Sequence, residues 1–327
     1  MPNSEMTVAQ NRMAEISVKT SKPYARPFRD VTLHAVVTEP DGVRRTVPGF
    51  WAGGGTWRVR LASPKIGTHA WRLVCSDEGN AELHGKEGVV HVEPYEGDNP
   101  LYKHGPLRRN PGARYPVHAD GTPFLWLGDT WWMGLTKRLS WPDEFETLVR
   151  DRKAKGFNVV QIVAGLYPDM GAFDERGANE AGFPWDEGFQ SINPDYFEAA
   201  DRRLIGLADA GLMPAVVGCW GYYAELAGED AVRRHWEYLI ARYAALPVVW
   251  CAAGEALMPY YLNPPFRDDE ERERFRAKAR RYWTDLIRHM REYDPYGRLI
   301  TIHPTWPDSS RDMVDDPSLI DLDWLQT

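Results

Sequence analysis

Two hydrophobic periods divide the chain. From about residue 15 to residue 94, short runs alternate apolar and polar side chains between turn signals. Residues 31–37, 56–61 and 69–74 are such runs, and Glu39-Pro40-Asp41-Gly42 and Pro64-Lys65-Ile66-Gly67 are turns between them. Period-two alternation with no helical stretch predicts a small antiparallel β-sandwich of the immunoglobulin or fibronectin kind, placed at residues 11–97. Gly53-Gly54-Gly55 reads as a turn within it, because no helix follows to build a phosphate cradle. After a connector rich in Gly, Pro and Arg between Gly97 and Gly112, strands alternate with helical patterns, the signature of a parallel sheet. Strands are expected at 124–127, 158–163, 213–218, 248–253, 299–302 and 322–326. Helices are expected at 140–155, where Ser140 with Asp143 resembles a capping box, and at 230–243.

The strand at 248–253 is apolar on both faces, so helices must cover it, and it delivers Glu255 at its C-terminal end. Other strand ends carry a similar set. Asp129, Trp131 and Trp132 follow the first strand, Gln161 lies within the second, and Trp220 and Tyr222 follow the third. His303 follows the fifth and Gln326 stands at the sixth. Polar and aromatic groups thus collect at one rim, where barrel enzymes place their chemistry, and rings beside carboxyls suit a sugar. The expected fold class is α/β, a (β/α)8 TIM barrel over residues 107–327 with the β-sandwich before it. A whole barrel takes about 250 residues, and only about six of its eight βα units are visible, so the barrel is expected to be incomplete at its C-terminal side.

Composition narrows the function. With 327 residues, 43% hydrophobic and 12% aromatic, the chain can build two cores. A net charge of -8 without any Lys/Arg cluster argues against a nucleic-acid partner. The mixed-charge stretch 268–281 reads as a solvated helix face. Cys75, Cys219 and Cys251 show no C-x-x-C spacing and are expected to be buried thiols. There is no signal-like start and no membrane-length apolar run, which gives a cytoplasmic expectation with no membrane partner. The nine His are scattered and no H-E-x-x-H or G-x-S-x-G occurs, so neither a metal, a cofactor nor a serine nucleophile is expected. No pattern fixes an oligomeric state, although an unfinished barrel leaves a sheet edge that invites pairing. The loop at 166–193 is long enough for an active-site lid or for an insertion packed on the sandwich.

The ordered strings HADGTPFLWLGDTWWMGL, DRKAKGFNVVQIVAG, GLMPAVVGCWGYY, RHWEYLIARYAALPVVWCAAGE, DPYGRLITIHP and DLDWLQT resemble the apiosidase-like glycoside hydrolases, glycoside hydrolase family 140 and its relatives. The preceding RPFRDVTLHAVVTEPDGV and VPGFWAGGGTWRVRLASPKIGTHAWRLV resemble the β-sandwich domain of unknown function that precedes such barrels. The resemblance implies a TIM barrel that removes a sugar from a glycan or glycoside by a retaining mechanism with two carboxylates. It places the acid/base at the end of strand four, matched by Glu255, and the nucleophile at the end of strand seven, beyond Thr327. The family's apiosidases carry Asp at the strand-four position, so Glu255 puts apiose itself in doubt as the sugar. Asp129, Trp131, Trp132, Gln161, Trp220, Tyr222, His303 and Gln326 are the expected carbohydrate contacts. A non-catalytic carbohydrate-binding protein on the same scaffold is the alternative.

Overall fold

The computed structural model describes residues 5–326. Its first part contains β1 (Glu5–Ala9), β2 (Ala14–Lys19), the helical turn α1 (Pro27–Asp30), β3 (Leu33–Thr38), β4 (Arg44–Trp51), β5 (Thr56–Leu61), β6 (Gly67–Cys75) and β7 (Glu87–Glu93). These strands hydrogen-bond in the order β1-β7-β6-β3-β4-β5-β2. The sheet folds over at β4, whose residues up to Pro48 pair with β3 while Gly49, Phe50 and Trp51 pair with β5. Gly49 permits that bend, since a Cβ there would lie 3.0 Å from the Arg58 carbonyl oxygen. Alternation then turns Ile16, Val18, Ala35, Val37, Trp57, Val59, Trp71 and Leu73 into one core between the layers. One pairing departs from the expected antiparallel pattern: β1 runs parallel to β7. The chain passes from β1 directly into β2 on the other side of the folded sheet, so no hairpin sets the direction in which β1 joins.

The connector forms the short helix α2 (Pro100–Lys103) and a ribbon of β8 (Leu107–Arg108) and β9 (Val117–His118). There follow β10 (Gly128–Trp131), α3 (Asp143–Ala154), β11 (Val159–Val163), α4 (Pro194–Asp209), β12 (Met213–Val217), α5 (Tyr223–Leu226), α6 (Glu229–Tyr243), β13 (Val249–Cys251), α7 (Asp269–Tyr293) and β14 (Ile300–Thr301). All five strands are parallel and adjacent in chain order, with a helix in every crossover. One face, with Val160, Ile162, Val216, Trp250 and Ile300, packs on the helices. The opposite face, with Val159, Met213, Ala215, Val249 and Leu299, is covered by Phe124 and partly by Trp126, Leu322 and Trp324.

Three expectations are corrected here. The apolar run 124–127 is not the first strand: Phe124 joins the connector cluster, Leu125 is 81% exposed, and the strand is the next four residues, Gly128–Trp131. Residues 322–326 are not a strand either. They run beside β14, with Asp321 N–H donating to Ile300 O at 2.9 Å, but make only an isolated bridge from Leu325 to Ser309. Among the described residues, five paired strands therefore stand where about six were expected, and the sheet is open, with β10 bonded only to β11. Finally, α3 begins at Asp143, and the residue that reaches back to the Ser140 N–H is Glu144, at 2.8 Å.

The two parts meet through charge. Arg58 and Arg60 on the outer face of β5 reach α4 and α6, where the Asp201 carboxylate is shared by Arg60 and Arg242. The 166–193 loop packs rather than hangs free. Arg29 of α1 donates to Gln190 O at 2.6 Å, Phe28 lies edge-on to Trp185 at 5.4 Å, and this loop is therefore an insertion docked on the sandwich. All three cysteines are buried and unpaired. Among the described residues no helix is long and apolar enough to cross a membrane.

The same region carries a pH response. His235 on α6 is fully buried, its Nδ1 accepting from Trp185 Nε1 at 3.1 Å and its Nε2 lying 2.8 Å from Gly218 O. Burial pushes its pKa down to about 4 from an ordinary 6.5. Because the folded-state value is the lower one, His235 adds full stability above about pH 6.5 and loses it as pH falls towards 4, by roughly 3 kcal/mol. Urea unfolding at pH 7 and pH 4.5 checks this. The loss between the two is expected to shrink by about 2 kcal/mol in His235→Gln, which keeps an acceptor and a donor but no titratable ring. An unchanged loss counts against the assignment.

Candidate active site

The site grows from the ends of β12 and β13. Beyond those strands the backbones stay paired, with Gly254 N–H donating to Cys219 O at 2.9 Å and Gly221 N–H to Gly254 O at 2.7 Å. This brings Trp220 against Gly254 and Glu255. A Cβ on Gly254 would lie 2.2 Å from the Trp220 ring, so only glycine allows the indole to lie there. Glu255 itself has φ of +42°, a left-handed conformation unfavourable for a residue with a Cβ. Such local strain marks side chains that are aimed rather than merely accommodated. The Glu255 carboxylate accepts from Trp220 Nε1 at 3.3 Å and from Gln326 Nε2 at 3.2 Å.

An aromatic wall stands beside this carboxylate. Trp132 lies edge-on to Trp220 at 5.4 Å and to His303 at 5.8 Å, and His303 lies 6.1 Å from Trp220 and 6.5 Å from Trp324. Burial lowers the His303 pKa, which favours the neutral ring, and neither ring nitrogen has a hydrogen-bond partner among the described residues. A neutral imidazole offers one donor and one acceptor, the pair a sugar hydroxyl can use. Trp220 is only 4% exposed and donates to Glu255, whereas Trp132 and Trp324 are half-buried. Trp324 was missing from the sequence expectations. Its signal was the alternation of Leu322, Trp324 and Gln326, which puts it on the same side as Gln326.

Not every expected residue joins this group. Asp129 and Trp131 alternate with Thr130 and Trp132 along β10, and they face α3 instead. Asp129 accepts from Trp131 Nε1 at 3.0 Å and from Arg152 on α3, and the buried Trp131 lies perpendicular to Phe145 at 5.6 Å. Burial would raise the Asp129 pKa, but the bonds from Trp131 and Arg152 hold it below the usual range. Both are corrected from sugar contacts to parts of the sheet–helix interface. Tyr222 is buried with its hydroxyl donating to Tyr167 O at 3.1 Å, within a cluster with Tyr223 and Tyr260, and is likewise removed from the wall. Gln161 lies on the Val159 face of β11, its buried Nε2 without a partner among the described residues. Among the described residues no group of three or more His, Cys, Asp or Glu is placed to hold a metal ion.

The Gly254 contact gives a direct test. Gly254→Ala is expected to push the Trp220 indole away from Glu255 and cost about 1–3 kcal/mol, as overpacking does. Near-ultraviolet circular dichroism and urea unfolding report the two effects. An unchanged aromatic spectrum would show that the indole is not held there.

Residues 110–327 match the family described as "Apiosidase-like, catalytic domain", and residues 7–76 match a domain of unknown function (DUF5060). No curated protein matches the chain. Among solved structures, a Bacteroides vulgatus protein described as a candidate glycoside hydrolase is similar over 92% of this chain and 56% of its own, with a TM-score of 0.67 and 22% identity. A glycoside hydrolase family 5 protein from Bacteroides vulgatus is similar over 72% of this chain and 47% of its own, with a TM-score of 0.53 and 26% identity. A third structure, described as a glycoside hydrolase, has a TM-score of 0.52 and 23% identity over 70% of this chain and 47% of its own. The chain spans about half the length of these structures.

Proposed function

From the fact that this chain belongs to the apiosidase-like catalytic family, we propose that it is a glycoside hydrolase whose general acid/base is Glu255. The observation that carries the reading is the placement of Glu255: a carboxyl at the end of β13, in a left-handed conformation, between two N–H donors and beside Trp132 and His303. Glycoside cleavage needs a carboxyl to protonate the departing oxygen and a second carboxylate on the other side of the sugar ring, about 5–5.5 Å away when configuration is retained. Asp129 does not serve as the second, since it is paired with Arg152 on the opposite face of the sheet. The nucleophile is assigned to the strands that would close a barrel between β14 and the free edge of β10, on the one that the family resemblance makes the seventh. Two facts support this: the strands run in sequential parallel order with an open edge, and the part matched by this chain is 56% and 47% of two of the similar structures. Carbohydrate is then the ligand of the aromatic wall, through stacking on Trp132 and Trp324 and hydroxyl contacts to His303 and Gln326.

The test is cleavage of a panel of aryl and alkyl glycosides by the full protein, with Glu255→Gln alongside and the configuration of the first sugar product followed by NMR. Retention with loss of activity in the variant is expected. Inversion would overturn the retaining mechanism, and undiminished turnover by the variant would overturn the role of Glu255.

A further inference from the structure

The opposite end of the parallel strands holds a cavity of about 340 Å³ where the sandwich, the connector and the turn before β14 meet. Asn11, Arg45, Ser63, Arg108, Tyr296 and Arg298 supply its polar lining. In a chain of net charge -8, three arginines and no Asp or Glu face this space. We propose that it binds a small organic oxyanion, a molecule of about monosaccharide size bearing a carboxylate or phosphate group.

Arg298 carries the argument. It is 5% exposed, and its Nε donates to Ala244 O at 2.9 Å. Among the described residues its terminal nitrogens have no hydrogen-bond acceptor and no carboxylate pairs with it. The acid nearest in sequence, Asp294, is already engaged: its Oδ2 accepts from Trp250 Nε1 at 2.9 Å and from Arg298 N–H at 3.0 Å, and its Oδ1 from Tyr296 N–H at 2.8 Å. A buried guanidinium whose terminal nitrogens lack an acceptor is unfavourable, and burial lowers its pKa although the nearby Asp294 charge acts to raise it. A bound oxyanion removes that penalty by accepting from the planar fork.

The surroundings define the ligand further. Arg45 and Arg298 both lie over the Tyr296 ring, at 5.3 Å and 5.2 Å, which fixes the two guanidinium groups around one aromatic plate. Arg45 is satisfied by the buried Glu39, whereas the exposed Arg108 has no ion-pair partner among the described residues and stands at the mouth. Prolines and leucines make the remaining wall, so the cavity is stiff and half apolar. That volume exceeds what an inorganic oxyanion fills and suits a ligand with a carbon body.

Isothermal titration calorimetry on the chain, at constant ionic strength in chloride, tests the site with glucose 6-phosphate, gluconate, inorganic phosphate and glucose. One of the two organic anions is expected to bind saturably and at least about tenfold more tightly than inorganic phosphate, with glucose silent; which of them binds tells phosphate from carboxylate. Arg298→Gln is expected to weaken that binding at least about thirtyfold, and Arg108→Ala about fivefold. Arg108 is on the surface, so its variant folds and keeps the test decisive if Arg298→Gln does not. The proposal is overturned by absence of saturable anion binding below about 10 mM, by equal binding of glucose, or by parental affinity in Arg108→Ala together with any folded Arg298 variant.

Discussion

Glu255→Gln is expected to lower kcat/KM of the full protein for an alkyl glycoside by about 10²–10⁴-fold, the range that a positioned general acid supplies. The substitution keeps shape and removes only the transferable proton. An amide oxygen at this position still accepts from Trp220 Nε1, and its NH2 then faces Gln326. Gln326 can turn its own amide to meet it, bringing round the Oε1 that is buried and without a partner among the described residues. The same turn would let Glu255 hold a proton between reaction steps. The loss should therefore depend on the leaving group. Phenols that depart without protonation lose little, and poor leaving groups lose the full factor, with KM nearly unchanged. A loss equal for all leaving groups would mean that the variant disturbs binding or folding rather than proton transfer.

Asp201→Asn is expected to destabilise the protein by about 3–5 kcal/mol, the cost of removing one member of a buried charge cluster. Asp201 on α4 accepts from Arg242 Nε and Nη2, both at 2.8 Å, and from Arg60 of the sandwich. Both arginines are buried and lie over the Phe50 ring, and among the described residues only Glu15 and Glu198 at the margin remain to compensate them. Burial alone would raise the Asp201 pKa, but the Arg242 and Arg60 charges outweigh it and hold the carboxyl at about 2. Since the folded-state value lies below the ordinary one, this stability is present above about pH 4 and lost as pH falls towards 2. Urea unfolding at pH 7 measures the loss. Replacing the cluster as a whole, Arg60→Met with Asp201→Leu and Arg242→Met, is expected to cost less than the single change, because no buried charge is then stranded: Glu15 and Glu198 are partly exposed and keep Arg58. A single-variant loss no larger than about 0.5 kcal/mol, the scale of surface substitutions, would show the cluster to be solvated.

How far the site could be read from sequence depended on where each strand begins. For β13 the pattern was unambiguous. An apolar run bounded by Pro247 and Gly254 placed Glu255 beyond the strand, and there the structure has it. For β10 the apolar run at 124–127 predicts the strand four residues too early and puts Asp129 and Trp131 beyond its end, whereas they lie inside the strand. Within a strand, alternation sends them to α3 and leaves Trp132 on the side of Glu255. A single shift in boundary thus exchanged two candidates for interface residues.

By itself the sequence determined the change from sandwich to parallel sheet, the central strands and helices, the buried thiols and the position of Glu255. Each of these depends on local period and turn chemistry, which act over a few neighbouring residues. Tertiary structure alone decided the fold-over of β4, the parallel pairing of β1, the meeting of Trp324 and Gln326 with the β13 end, and the fate of the buried charges. Asp201 and Arg60 stand 141 positions apart, and each read in its own element looks like a solvated polar residue. Periodicity tells a side chain which face of its element it occupies; which other element covers that face is set by packing among distant segments, and only there do a charge's partners, such as Ala244 O for the Arg298 Nε, become visible.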